Sequence, residues 1–358
     1  MQFSGQLRAN EIFSTIFNMI IGQQVFSSPI KHNFSKFLDE SKREVGLYGD
    51  TMLYYSVDVL KSYEFMGDRD LNVLQLHRPK DPKCQSIVLD KFRQIPLTID
   101  NYLSKRAWST ESAFSTFNQT MIKMMNDTRR IHETTVFNTY LGTTRTTVGR
   151  QDIKIQLPEE VEGNPEATNR LQAQTIATKM ADLMVDLEDY SRDFNDYEYL
   201  RSLSTDDLVI IWNSEYLNKI LKTDLPTIYH KDGVMEKTEN RLPARYFGDI
   251  NTEGGRTSGA NVSIRSLIEK DYGATHVFPG DLLPNDTDYL ENETYTENSK
   301  IIAKVMHKNS VPFLTSLSVN TTFVNPKALN ENHYLTFGYN TLQKLDEYPF
   351  ITIEVSAI

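Results

Sequence analysis

The residues able to do chemistry are scattered along this chain rather than gathered into a motif. His132-Glu133 opens a metal-binding pattern, but no second histidine follows at helical spacing, so the two-histidine zinc face is missing. The pair reads better as part of a helix surface. Gly254, Gly255 and Gly259 make a glycine-rich stretch with no phosphate-binding lysine and no clean strand before it. Asp281, Asp286, Asp288, Glu291 and Glu293 supply carboxylates but do not match a calcium-loop pattern, and a solvated acidic loop fits them. No G-x-S-x-G elbow occurs. The seven histidines are dispersed, from His32 to His333. The one cysteine, Cys84, lies in a strand-like run and reads as a small core residue rather than a nucleophile. No catalytic, cofactor-binding or metal-binding residue is assigned.

Charge points the same way. Lys and Arg total 38 against 48 Asp and Glu, a formal net charge of -10. A protein that grips phosphates carries the opposite bias, so weak contact with nucleic acid is expected. With 39% hydrophobic and 24% charged residues the composition is that of a globular chain. A single cysteine permits no intrachain disulfide and fits a reducing compartment. The most apolar stretches, 12–21 and 208–212, fall well short of the roughly 20 residues of a spanning helix, so no membrane partner is expected. The N-terminus does not read as a signal peptide.

Stepping along the chain, residues 6–22 place Ile12, Ile16, Met19 and Ile20 at helical spacing, followed by an irregular polar stretch to residue 48. Residues 51–65 and 84–99 are β-branched and aromatic, with local alternation, and read as strands flanking a charged tip. An isolated hairpin is marginal in water and needs a neighbour to pack on. Residues 109–141 form the strongest helix. Phe114, Phe117, Met121, Met124, Thr128, Ile131 and Thr135 continue a three-four spacing, and Gly142 offers a stop. Residues 143–157 read as a strand pair turning at Gly149, and 165–190 as a second amphipathic helix with Pro165 in its first turn. A short buried strand over 208–212 precedes a helix over 214–223. Loops are expected over 249–261 and 281–299, and strands over 300–306, 312–324 and 348–355.

This order of elements, together with several stretches, resembles the major capsid proteins of tailed bacteriophages with the Hong Kong 97-type fold. LYGDTMLYYSVDVLKSYEF and QSIVLDKFRQIPLTIDNYLSKRAW look like the two arms of the family's extended loop (E-loop). AWSTESAFSTFNQTMIKMMNDTRRIHETTVFNTYLGT looks like the spine helix of its peripheral (P) domain. DLVIIWNSEYLNKI and THVFPGDLLP look like axial (A) domain segments, and VPFLTSLSVNTTFVNPKALNENHYLTFGY like the late strands of the P domain. The flavour is closest to small podoviruses of Gram-positive hosts.

The resemblance implies an α+β chain divided as an arm (1–48), the E-loop and its lead-in (49–104), a P domain (105–157), a mainly A-domain region (158–299) and strands returning to the P domain (300–358). It implies a structural subunit of an icosahedral head that encloses double-stranded DNA, with no cofactor and no enzymatic role. Implied partners are the chain itself in pentamers and hexamers, a scaffolding protein, a portal or connector and decoration proteins. Ile12, Ile16, Tyr54, Tyr55, Arg69, Arg78, Lys80, Lys83, Arg93, Arg129, Arg130 and Arg256 are the expected assembly-interface residues. Some relatives crosslink a loop lysine to a neighbour's asparagine; Lys61, Lys80, Lys83 and Lys91 are read here as solvated instead. Two alternatives stay open: an encapsulin-type bacterial compartment shell, and a two-domain α+β enzyme or binding protein.

Overall fold

The computed structural model describes residues 36–64, 76, 78–100, 111–146, 148–159, 161, 163–221, 240–252, 293–297, 300–327 and 329–356. The expected helix over 6–22 and the charged tip around Arg69 lie outside them, as does the stretch from 253 to 292.

A short helix α1 (Lys36–Ser41) leads into β1 (Lys42–Gly46). The hairpin strands are β2 (Thr51–Ser56) and β3 (Lys83–Val88), followed by β4 (Lys91–Asp100). The single strand expected over 84–99 therefore breaks at Leu89-Asp90. Leu89 is buried at the corner, and the Asp90 carboxylate accepts both the amide and the hydroxyl of Thr341 at 2.6 Å. The strand expected over 51–65 is shorter: β2 stops at Ser56, and residues 57–64 continue without strand pairing.

Helix α2 (Glu111–Thr143) spans 33 residues, about 50 Å at 1.5 Å per residue. Its buried line is Met125, His132, Glu133, Val136, Phe137 and Leu141. That is one residue round from the stripe read in the sequence: Met124 is 43% exposed and Ile131 36%. Two of the inward residues are polar, and hydrophobic periodicity cannot register them. His132 is thus buried rather than on the helix surface. Gly142 is not a stop, because the helix runs through it. A Cβ there would lie 1.9 Å from the Tyr246 carbonyl oxygen, so glycine is required by close packing.

Beyond α2, Gly149 turns the chain at a φ of 65° before β5 (Asp152–Ile155), where a strand pair was expected and one strand forms. Helix α3 (Pro165–Glu188) starts with Asn164 capping the Ala167 amide. Strand β6 (Leu208–Asn213), helix α4 (Ser214–Leu221) and strand β7 (Arg241–Leu242) follow. Strands β8 (Gly248–Thr252) and β9 (Glu293–Glu297) pair with each other inside the two regions expected to be loops. The chain closes with β10 (Ile301–His307), β11 (Phe313–Ser316), β12 (Val319–Asn325), β13 (Asn330–Tyr339) and β14 (Phe350–Val355).

Two five-stranded sheets organise these elements. The first has the order β5-β14-β10-β6-β7. Its central strands are buried on both faces, which explains the unbroken apolar run LVIIW at 208–212. Leu208, Ile210 and Trp212 point to α3 and join one core, while Val209 and Ile211 join a second core with Phe137 and Leu141 of α2. The second sheet runs β1-β11-β13-β12, with β4 also paired to β13 over its whole length. The last strands of the chain are therefore shared: β10 and β14 belong to the first sheet, and β11 to β13 to the second.

Candidate assembly surfaces

The β2–β3 hairpin forms a two-stranded sheet of its own, with Thr51 opposite Val88 and Ser56 opposite Lys83. A two-stranded ribbon needs support, and here the support is at the root. Met52, Tyr54 and Ile87 pack on Leu314, Leu345 and Tyr348. Ser56 donates to the Glu347 carboxylate. Arg201 holds Glu347 at 3.0 Å and also donates to the Val57 carbonyl at 2.8 Å. Asp58 accepts from Arg192 at 2.7 Å and from the Leu200 amide at 3.1 Å. Burial alone would raise the Asp58 carboxyl, but hydrogen bonds from Arg192, Leu200 and Val59 and the Arg192 charge pull it down to about 2. On the returning arm Lys80 lies 5.2 Å over the Tyr199 ring and Lys83 4.8 Å over that of Tyr197.

Beyond the root, the described residues of the hairpin turn apolar side chains to solvent. Leu53, Tyr55, Val57, Val59 and Tyr63 are exposed, and Leu60 is 74% exposed. A run of apolar side chains of this size on an anchored ribbon is a surface waiting for a cover. A cleft of 790 Å³ between the arms is lined by Leu60, Tyr63, Arg78 and Lys80. No group of three or more metal-ligating side chains occurs among the described residues. No described helix is long and apolar enough to cross a membrane.

The expected interface residues separate into four groups. Ile12, Ile16, Arg69 and Arg256 lie outside the described residues. Tyr54, Tyr55, Arg78, Lys80 and Lys83 all sit on the hairpin or its arms, with Tyr54 turned into the root and Tyr55 outward. Arg130 is exposed on α2. Arg93 and Arg129 are engaged inside the subunit instead. Arg129 lies over the Phe337 ring at 5.2 Å and pairs with Glu133 at 2.7 Å. Cys84 is exposed, not a core residue. Sequence reasoning missed Arg192, Arg201 and Glu347, which anchor the hairpin. A lone charge between loops carries no periodic signal that would have marked them.

Comparison with known proteins fits this geometry. The Phi29-like phage major capsid protein family matches residues 4–345. The chain belongs to the Phi29-like phage major capsid protein family. As such a capsid protein it is a structural component of the phage head shell, which decides between the phage shell and the bacterial compartment shell. Among solved structures, a chain in the capsid of Staphylococcus phage Andhra is 10% identical. The match covers 96% of this chain and 92% of that one, with a TM-score of 0.64. A chain in the structure of the head fiber and inner core protein gp22 of native bacteriophage P68 is 12% identical, with coverage of 95% and 91% and a TM-score of 0.62. At these identities the likeness establishes the fold, the α+β Hong Kong 97-type. No curated protein matches the chain.

Proposed function

We propose that this capsid protein builds an icosahedral shell around double-stranded DNA by laying its β2–β3 hairpin over an adjacent copy. The observation that carries this reading is the anchored hairpin with its uncovered apolar side chains. In a heterologous ring the same surface of each subunit meets a different surface of the next, so one hairpin per copy closes pentamers and hexamers alike. Individually weak contacts then add up to a durable lattice, because each subunit is held at several places at once.

In this reading residues 1–48 are an arm that clasps a neighbour, 49–104 the E-loop, 105–157 with the late strands the P domain, and 158–299 mainly the A domain facing the ring centre. A scaffolding protein, a portal and decoration proteins are the proposed partners. The net charge of -10 keeps the packaged DNA from adhering to the wall. A structural rather than catalytic role is supported by the scattered chemical side chains.

The test is replacement of residues 61–79 by a short Gly-Ser turn, which spares both strands and the Asp58, Arg201 and Lys80 contacts. Electron microscopy of the protein, expressed with and without a scaffolding protein, should show a folded variant that forms no shells. Normal shells from it would overturn the hairpin assignment.

A further inference from the structure

Among the described residues, strand β12 closes one edge of the second sheet, and its sequence is VNTTFVN. Every residue from Val319 to Val324 is exposed, Phe323 by 62%. Natural edge strands are guarded by lysine, proline, bulges or brevity. This one has no charge and no proline, and it keeps regular register with β13 from Val319↔Thr336 to Asn325↔Asn330. An uncharged, β-prone edge of this length is a template for another strand.

The face beside Val319, Thr321 and Phe323 is equally neutral, with the carboxylate of Asp100 one row beyond, opposite Asn330. Pairing fixes which residues share the face: Val319, Thr321 and Phe323 on β12, Asn332, Tyr334 and Thr336 on β13, and Gln94, Pro96 and Thr98 on β4. None is charged. Each copy carries a net charge of -10, so two copies meet at least electrostatic cost where neither bears charge.

We propose that β12 pairs with β12 of a second copy, antiparallel across a two-fold axis at Thr321, joining two sheets into one; this rests on the shell reading above. In that register Thr321 faces Thr321 of the other copy, and Val319 faces Phe323. These are a threonine pair and an aromatic–β-branched pair, both favourable across a ladder. On the opposite face Asn320 meets Thr322. A two-fold contact must be self-complementary, and VNTTFVN satisfies that condition about its third residue.

The experiment uses the full chain with Cys84→Ser, so that any added cysteine can pair only with itself. In assembled shells Thr321→Cys should give disulfide-linked dimers on non-reducing gels, while Phe323→Cys, which faces Val319, should give none. Thr321→Lys and Thr321→Glu should each lower shell yield by roughly tenfold, since like charges directly opposite destabilise a ladder. Mixing the two variants should restore it. If shells form normally from Thr321→Lys and Thr321→Cys never crosslinks, the pairing is wrong and the shell function stands. If single variants fail and mixing does not rescue them, another segment covers the edge and the pairing is again wrong. If neither the unaltered chain nor the Cys84→Ser parent forms shells, the shell reading fails and this proposal with it.

Discussion

The Nε2 of His132 lies 2.9 Å from the hydroxyl of Tyr339, tying the middle of α2 to the end of β13. Arg93 donates to that hydroxyl, which leaves the Tyr339 proton to be given to the imidazole. His132 is therefore neutral. Burial, reinforced by the Arg93 charge, holds it down to about 3. An unfolded chain takes up this proton below about pH 6.5, and the folded chain does not. Stability contributed by neutral His132 is complete above that pH and falls as pH drops towards 3, by up to about 1.4 kcal/mol per pH unit. Urea unfolding of the wild type and His132→Gln between pH 7 and 5 checks this. The variant should show the shallower slope, and equal slopes would refute the assignment.

Glycine to alanine within a helix ordinarily stabilises by about 1 kcal/mol. At Gly142 the sign should reverse, because the added methyl would meet the backbone oxygen of Tyr246 at 1.9 Å. Gly142→Ala is expected to cost about 1–3 kcal/mol, the usual range for overpacking. A thermal melt showing a gain would mean that 244–247 yields freely.

Glu133 is 3% exposed and accepts from Lys42 at 2.5 Å and Arg129 at 2.7 Å, so it joins β1 to α2. Removing the carboxylate leaves two cations facing a buried gap. Glu133→Ala should cost about 3–5 kcal/mol and Lys42→Ala, which is more exposed, clearly less. A double-mutant cycle on the pair should give a coupling of at least about 0.5 kcal/mol, and zero coupling would dismiss the contact.

The hairpin root should loosen in acid. The Asp58 carboxyl is held at about 2, below its usual 3.8. Its contribution is complete above about pH 4 and is lost as pH falls towards 2. Asp58→Asn should produce the same loosening already at pH 7. Hydrogen exchange of the Leu200 amide, which Asp58 accepts, is the readout, and about tenfold faster exchange is expected for a lost charged hydrogen bond. An unchanged rate would show that Arg201 alone holds the arm.

Elements were legible in the sequence where pattern and burial coincide. The run 208–212 is buried on both faces and announced itself as a continuous apolar strand, and Pro165 marked the start of α3. The inward face of α2 was not legible, because His132 and Glu133 owe their burial to Tyr339, Lys42 and Arg129, partners far off in sequence. The corner at Asp90 was hidden for the same reason: its partner is Thr341. The interface reading fared likewise. The hairpin strands were legible because β-branched and aromatic residues alternate along them, whereas Arg201 and Glu347 have meaning only once the hairpin is laid beside them.

The root of the hairpin also sets a clock. Ser56 is bonded to Glu347, 291 residues further on, and Met52 and Tyr54 rest on Leu345 and Tyr348. During translation the ribosome makes the ribbon early and its seat late. A growing chain that has not reached residue 345 carries the ribbon without its anchor, so the hairpin is held in its folded direction only on subunits whose synthesis has passed that point.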